Sequence, residues 1–207
     1  IMCSDIYSVD FITSLQAALT SLNQYFKKWN ILINPEKTQA IYFTRKRKPC
    51  FLPQSPLIFM NHNIMWEENA KYLGVLLDTK LNFKDHIPFI IDKINKIKRI
   101  MYPLINRSSE LNIENKKLII KSIFHPLMFY CTPVWSSSAY CHIKKLQVIQ
   151  NKLLKMIYRL PWHYSTQRLH TISGFEPVKT KVIRLLQNFN ERCQNSQYTH
   201  INELVSS

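Results

Sequence analysis

Glycine is scarce in this chain of 207 residues, and its scarcity excludes whole classes of protein. Only Gly74 and Gly174 occur, whereas average usage is about 7%. Loops that bind phosphates or dinucleotides need several glycines at fixed spacing. The sequence therefore excludes a P-loop nucleotide-binding enzyme and a Rossmann-type enzyme.

The cysteines and the acidic residues form no recognisable site. The 5 cysteines contain no Cys-x-x-Cys pair and lie at positions 3, 50, 131, 141 and 193. Their odd number and wide spacing match neither a disulfide framework nor a zinc site, so we expect reduced thiols inside a cell. The chain has no His-Glu-x-x-His motif and no Asp-Asp pair, and a two-metal site for phosphoryl transfer needs acids held together. The residues alone thus predict no metal site.

Long apolar runs are also missing. Lys, Asn or Pro interrupts every apolar stretch well short of the roughly 20 residues that a membrane span needs, and the amino end has no signal-peptide pattern. We therefore expect an intracellular protein of the nucleus or cytoplasm that does not contact a membrane. The sequence begins with Ile1 rather than Met, so we expect the natural polypeptide to extend upstream.

Positive charge is abundant, in contrast. The chain has 28 Lys and Arg against 13 Asp and Glu, a formal net charge of +15, and 46% hydrophobic residues. At this length a folded chain buries roughly 70% of the surface that its unfolded form exposes, so this composition predicts one or two folded domains. A positive surplus attracts polyanions, of which nucleic acid is the most abundant. Composition therefore predicts a nucleic-acid-binding protein.

The amino-terminal part mixes helical and strand patterns. Apolar residues at helical spacing predict an amphipathic helix from Asp10 to Trp29. A turn is predicted at Asn34-Pro35. Short β-rich runs predict strands over Ile31–Ile33, Gln39–Thr44, Leu57–Met60, Ile64–Trp66 and Lys71–Leu77. The third and fourth of these runs flank a tight turn and predict a hairpin.

After Asn82 the pattern becomes helical. Apolar stripes predict helices over 87–104, 118–130, 143–160 and 178–189, and Pro126 should bend or end the second of them. The change of character predicts an α+β fold with two domains, an α and β domain over 1–82 and an all-helical domain over 83–207.

Two clusters of cations are candidates for binding phosphates. On the third of these helices, one sector of about 80° forms a basic ridge about 21 Å long; its residues are Lys145, Lys152, Lys155 and Arg159. Several cations in a row release counterions on binding a phosphate backbone, but an ordinary solvated face is an equally open alternative. The run Arg45, Lys46, Arg47 and Lys48 has the same two alternatives, a nucleic-acid or localisation patch and a solvated loop.

Four phrases of the sequence carry a more specific signal because of their order. They are LQAALTSLNQYFKKWNILINPEKTQAIYFTRKRKP (Leu15 to Pro49), KYLGVLLDTKLNFKDHI (Lys71 to Ile87), KKLQVIQNKLLKMIYRLPWHYS (Lys144 to Ser165) and RLH (Arg168 to His170). Together they resemble the reverse transcriptases of non-LTR retrotransposons, especially the jockey-like elements of arthropods. The resemblance is collinear over nearly the whole chain.

The resemblance implies an architecture and several site residues. It implies the end of a polymerase palm over 1–82 and a helical thumb and connector over 83–207. Lys37 falls at the lysine of the fourth palm motif, which would protonate the leaving pyrophosphate; a turn lysine is the alternative. The primer-grip turn, where a glycine lets the backbone approach the primer, is matched by Tyr72, Leu73, Gly74 and Val75. The basic ridge would then hold the template and primer by their phosphates.

The sequence departs from the family pattern because it lacks the acidic residues that bind the metal ions. By the resemblance, these residues should lie upstream of Ile1. Without them nothing holds the ions that activate the primer hydroxyl, so we expect Mg²⁺ only in the complete polymerase and no cofactor in this chain. An endonuclease domain and a zinc knuckle are also absent. The sequence thus predicts a fragment of an RNA-directed DNA polymerase that binds an RNA/DNA template-primer duplex without polymerising. Two alternatives stay open, a stand-alone basic nucleic-acid-binding or scaffold protein derived from such an element, and an inert remnant; the oligomeric state is also open.

Overall fold

The computed structural model describes residues 8–44 and 55–198, together with residue 201. The chain divides into two compact units, Ile1–Leu81 and Asn82–Ser207. Short strands occur only in the first unit among the described residues, and helices make up the second. This arrangement confirms the predicted α+β fold with a helical carboxyl-terminal part.

The first unit contains one long helix and six short strands within the described residues. Its elements are α1 (Ser8–Lys28), a 3-10 turn (Pro35–Lys37), β1 (Ala40–Ile41), β2 (Leu57–Phe59), β3 (His62–Ile64), β4 (Trp66–Glu67), β5 (Asn69–Tyr72) and β6 (Val75–Asp78). The strands β2 and β3 form an antiparallel hairpin, as do β5 and β6, whereas β1 pairs with β4 in parallel. The predicted first helix is thus confirmed. A hairpin also forms where one was predicted, but its second strand is His62–Ile64 rather than Ile64–Trp66, and its turn lies at Met60 and Asn61.

The helix α1 packs its apolar stripe on the β2–β3 hairpin. Leu15 of α1 is buried with Leu57, Phe59 and Ile64 of the hairpin. The side chain of Gln16 extends this contact, because its amide donates to the carbonyl of Ile58 (2.7 Å) and its oxygen accepts from the Ile58 N–H (2.9 Å). Gln16 therefore bonds the N–H and the carbonyl of Ile58 at the edge of β2, as the backbone of a neighbouring strand would.

The predicted strand over Ile31–Ile33 is wrong. Residues 31–34 have no regular structure, and Leu32 is 99% exposed. The Asn34 side chain accepts from the Glu36 N–H at 2.9 Å and starts the 3-10 turn, a turn that Asn favours. Of the predicted strand over Gln39–Thr44 only β1 is formed. An apolar run becomes a strand only where a partner strand pairs with it, and sequence periodicity does not reveal the partner.

The second unit contains seven α-helices among its described residues. They are α2 (His86–Ile105), α3 (Ile113–Ile119), α4 (His125–Phe129), α5 (Thr132–Trp135), α6 (Tyr140–Ile157), α7 (Thr166–Ser173) and α8 (Val178–Gln194). The helices α2, α6 and α8 confirm three of the four predicted helices. The short helices α5 and α7 were not predicted.

The predicted helix over 118–130 is one continuous helical path with a change of winding. A π-helical turn, Ile120–Phe124, joins α3 to α4. Pro126 lies in the first turn of α4, directly after the π-helical turn. A proline has no N–H to donate, so the regular hydrogen-bond pattern is interrupted at this position. The sequence predicted that Pro126 bends or ends this helix. In the structure the winding changes directly before Pro126, and the helix ends three residues after it at Phe129.

The core of the second unit is built around α6. Its buried residues alternate at helical spacing, and Leu146, Leu153 and Leu154 are fully buried. The helices α2, α7 and α8 pack against α6. A polar contact also fixes α8, since the side-chain oxygen of Gln147 accepts from the first N–H of α8, that of Val178, at 2.7 Å. The faces of α6 that remain outside this packing carry the basic ridge.

Candidate nucleic-acid interface

Lys37 lies in the first unit at the end of the 3-10 turn. Its side chain is exposed, and its backbone N–H bonds the carbonyl of Asn34 at 3.3 Å. The turn is therefore fixed by Asn34, and the ammonium of Lys37 extends into solvent. This geometry leaves the lysine accessible to a polyanion.

The candidate primer-grip residues form the tip of the β5–β6 hairpin. Tyr72 pairs with Val75, and the two residues between them both have positive φ, 45° at Leu73 and 84° at Gly74. Two positive φ values in a two-residue loop define a type I′ turn. Tyr72 and Leu73 are 65% and 72% exposed, whereas Val75 is buried. The tip thus presents two side chains to solvent while Val75 anchors it.

The basic ridge on α6 is shorter than predicted. Lys145 and Lys152 are exposed, and Lys155 is half-buried because its ammonium donates to the carbonyl of Trp162 at 2.6 Å. The helix ends at Ile157, and Arg159 lies beyond it with a φ of 56°. Arg159 therefore does not continue the ridge, which spans about 15 Å over its three lysines.

The end of α6 explains why Arg159 leaves the helical path. The N–H of Arg159 bonds the carbonyl of Met156 (3.3 Å), and the N–H of Leu160 bonds that of Lys155 (2.9 Å). These two bonds form a Schellman motif in which Arg159 occupies the left-handed position that usually belongs to glycine. The nearby Pro161 was the sequence signal for this end, because residues before proline avoid helical conformation.

One further cation bonds the backbone after this helix end, and another lies near enough to interact with the charge of Arg159. The guanidinium of Arg107 donates to the carbonyl of Leu160 at 2.7 Å. Lys116 is buried and donates to the carbonyls of Asn106 and Ser109 at 3.0 and 3.1 Å. Burial, and next the charge of Arg159, lower the pKa of Lys116. Cations are favourable at a helix carboxyl end because the helix dipole is negative there.

The sequence analysis missed Arg107 and Trp162 as site residues. Arg107 follows α2 in the chain and reaches the end of α6 only in the folded unit. Trp162 lies in a Leu-Pro-Trp-His segment, whose proline predicts a turn at the surface. That segment was the one signal available for Trp162, and no local signal indicated Arg107.

A buried cluster around His125 was not predicted from the sequence. The Nδ1 of His125 lies 2.8 Å from the ammonium of Lys181, and its ring packs edge-on against Phe129 and Phe175. Burial, followed by the charges of Lys181 and Lys121, lowers the pKa of His125 to about 4. The imidazole is therefore neutral near pH 7 and accepts a hydrogen bond from the ammonium of Lys181.

The predicted site residues lie in separate parts of the chain, and the described residues contain no cluster suited to a metal ion. Arg45, Lys46, Arg47 and Lys48 lie outside the described residues. Lys37 and the β5–β6 tip belong to the first unit, and the α6 ridge belongs to the second. Within residues 8–44 and 55–198, no group of three or more His, Cys, Asp or Glu side chains is suited to hold a metal ion. No helix in that part of the chain is long and apolar enough to cross a membrane.

Comparison with known proteins shows similarity to polymerases of mobile elements. The chain is 29% identical over 201 residues to a probable RNA-directed DNA polymerase from transposon X-element of Drosophila melanogaster, which is 96% of this chain and 21% of that protein. It is 30% identical over 182 residues to the RNA-directed DNA polymerase from mobile element jockey of the same organism, covering 87% of this chain and 19% of the relative. The jockey polymerase of Drosophila funebris is 28% identical over 185 residues, 89% of this chain and 20% of the relative.

These matches confirm the resemblance that the sequence motifs indicated. The chain is homologous to one segment of the RNA-directed DNA polymerases of non-LTR retrotransposons. It spans about a fifth of the length of the curated relatives that it matches. No protein-family model matches the chain, and no solved structure matches it.

Proposed function

We propose that this chain is the part of a reverse transcriptase that holds the template-primer duplex. The first unit is then the end of the palm, and the second unit is the thumb and connector. The observation that carries the proposal is the extent of the similarity, which covers 96% of the chain in one polymerase and so includes both units.

The distribution of charge supports binding by the second unit. From Asn82 onward the sequence has 19 Lys and Arg against 7 Asp and Glu, so this unit carries most of the net charge of +15. Lys145 and Lys152 are exposed on one helix and separated by two helical turns. Such lysines neutralise phosphates of a nucleic-acid backbone and release condensed counterions, which gives affinity without sequence readout.

The first unit would act on the primer strand in the same complex. The β5–β6 tip presents Tyr72 and Leu73 from a turn anchored by Val75. Gly74 has a φ of 84° and no side chain, so the backbone can approach a sugar-phosphate chain closely. Lys37, exposed on its turn, is our candidate for the general acid that protonates pyrophosphate in the complete polymerase.

Polymerisation itself is assigned to the complete polymerase. Phosphoryl transfer of this type uses paired metal ions held by acidic side chains. The described residues do not fit such a metal pair, and the sequence has no Asp-Asp pair. We therefore derive no metal-dependent step from the residues of this chain.

Duplex binding and primer extension by the purified chain test the proposal together. We expect an RNA/DNA hybrid to bind with an affinity that falls steeply between 50 and 200 mM salt, by roughly 10³-fold if about six phosphates are neutralised. We expect no primer extension with Mg²⁺ and deoxynucleotides. Fluorescence anisotropy of a labelled hybrid and a gel-based extension assay give the two readouts.

Two results would contradict the proposal. Absence of hybrid binding at 50 mM salt would mean that the cations of the second unit form an ordinary solvated surface. Extension by this chain alone would mean that it contains a complete metal site. A chain that binds the hybrid only weakly but a protein partner tightly would favour the scaffold alternative.

A further inference from the structure

The segment after α6 displays an exposed aromatic ring from a fixed turn. The N–H of Tyr164 bonds the carbonyl of Pro161 at 3.2 Å, so Trp162 and His163 are the central residues of a β-turn. The indole of Trp162 is 86% exposed. The His163 ring meets it edge-on, with centroids 5.6 Å apart and an angle of 89° between the planes.

Two cationic side chains bond the backbone of this turn and of the residue directly before it. The Lys155 ammonium donates to the carbonyl of Trp162 at 2.6 Å, and the Arg107 guanidinium donates to that of Leu160 at 2.7 Å. Both cations come from outside the turn, one from α6 and one from the segment after α2. The exposed side chain of Trp162 adds almost nothing to the core, yet the backbone carbonyls of Trp162 and Leu160 are each bonded by a side chain from another element. The arrangement therefore favours a binding role for the ring over a folding role.

The surroundings of the turn are cationic. Lys155 and Arg107 each have further N–H groups besides the one that bonds the turn. Arg159 is held with a φ of 56°, a conformation that costs a side-chain-bearing residue free energy and that recurs at functional positions. A flat aromatic face beside several cations matches the chemistry of a nucleotide, a base with its phosphate, better than that of an apolar surface.

We propose that Trp162 stacks on an unpaired base of a nucleic-acid strand whose phosphates contact Lys155, Arg159 and Arg107. This inference rests on the proposed binding of nucleic acid by the second unit. It adds a second ligand contact that shares Lys155 with the α6 ridge, because a stacked base must be unpaired whereas Lys145 and Lys152 of the ridge contact the phosphates of a duplex. The site takes a single-stranded segment that continues from the duplex held on α6.

Two probes separate the stacking site from the duplex site. One is a blunt RNA/DNA hybrid, and the other is the same hybrid with a short single-stranded overhang. Base stacking on an aromatic side chain is worth roughly 5- to 150-fold in affinity. We therefore expect Trp162→Ala to weaken binding of the overhang probe by that factor and to leave the blunt probe unchanged.

Three controls define the interaction. Trp162→Phe keeps a flat ring and should retain most of the affinity for the overhang probe. Trp29→Ala removes another exposed indole, in the first unit, and should change neither probe. An overhang of abasic nucleotides keeps the phosphates without the bases, so the wild-type chain should bind it as weakly as Trp162→Ala binds the normal overhang. Circular dichroism and the thermal midpoint verify that each variant folds.

The possible failures can be distinguished. If wild-type chain binds the blunt hybrid but Trp162→Ala binds the overhang probe normally, the stacking site is wrong and the proposed function stands. Equal loss on both probes would also overturn the stacking site, because Trp162 would then contact the duplex. If the wild-type chain binds neither probe, both proposals fall.

Discussion

At the scale of single residues, His125 shows how burial fixes the charge of a titratable group. The imidazole is buried against Phe129 and Phe175, and its Nδ1 accepts from the ammonium of Lys181. Lys121 adds a second positive charge and Glu176 a compensating negative one. A protonated His125 would lose the hydrogen bond and face two cations, so the folded chain selects the neutral form.

The stability of the second unit should therefore fall in mild acid. The pKa of His125 is about 4 in the folded chain and 6.5 in the unfolded one, so the unfolded chain binds the extra proton below pH 6.5. The contribution of the neutral His125 imidazole to the free energy of unfolding is fully present above pH 6.5 and is lost as the pH falls towards 4. We expect His125 to contribute a loss of about 1 to 2 kcal/mol between pH 7 and pH 5, measured by urea unfolding as the difference between the wild-type chain and a variant without this imidazole.

The variant His125→Asn is the matched control for this prediction. Asparagine places an acceptor oxygen where Nδ1 lies, so Lys181 keeps a partner, but the side chain does not titrate. His86 also has a pKa lowered to about 4, first by burial and then by Lys93, so the variant should reduce the pH dependence without abolishing it. An unchanged pH dependence in the variant would show that His125 is not the titrating group.

At the scale of elements, the sequence predicted the long helices well. Helices α1, α2, α6 and α8 each repeat apolar residues at helical spacing over 17 residues or more, and this local pattern reports the face that packs on the core. A hairpin in the β2–β3 region could also be predicted locally, because its two strands and its turn are adjacent in sequence. The pairing of β1 with β4 could not, since it joins distant residues.

Short helices and helix ends were predicted less well. The helix α7 was missed because only Leu169 and Ser173 of its eight residues are buried, which is too few for a stripe. The sequence predicted that the basic ridge reaches Arg159, because the helical spacing of the cations continues beyond Ile157. In the structure a Schellman motif ends the helix at Ile157. The roles predicted for Lys37, the β5–β6 tip and the ridge stay predictions.

Replacement of Arg159 by glycine should stabilise the end of α6. Arg159 has a φ of 56° at the position where a Schellman motif favours glycine, and a left-handed conformation costs an ordinary residue roughly 1 kcal/mol or more. The side chain also lowers the pKa of buried Lys116 by repulsion. We expect Arg159→Gly to raise the free energy of unfolding by about 1 kcal/mol, measured by chemical denaturation.

The variant Arg159→Ala separates the two contributions to this effect. Alanine removes the charge but keeps a Cβ in the left-handed conformation, so its gain in stability should be smaller than that of glycine. Both variants should bind the overhang probe less tightly than the wild-type chain. A glycine variant less stable than the wild type would mean that the arginine side chain contributes more to folding than its backbone conformation costs.

At the scale of the whole molecule, the charge is distributed unequally between the two units. The second unit carries most of the positive surplus, and the cations to which we assign binding lie on α6 and around the turn that follows. The homologous polymerases are about five times as long as this chain. The account therefore assigns to this chain the holding of nucleic acid and assigns the chemistry of synthesis to the complete polymerase.

The most direct test of the central claim is the salt dependence of hybrid binding by a ridge variant. Lys145→Gln combined with Lys152→Gln removes two exposed cations of α6, and Lys96→Gln combined with Arg99→Gln removes two exposed cations of α2 as a control of equal charge. Each lost phosphate contact reduces the slope of log affinity against log salt by about 1.

The account predicts that the ridge variant loses about 2 from this slope and binds the RNA/DNA hybrid more weakly at every salt concentration. The α2 control should keep the wild-type slope. Equal slopes for the wild-type chain and the ridge variant, or equal losses in the two variants, would contradict the claim that α6 holds the phosphate backbone.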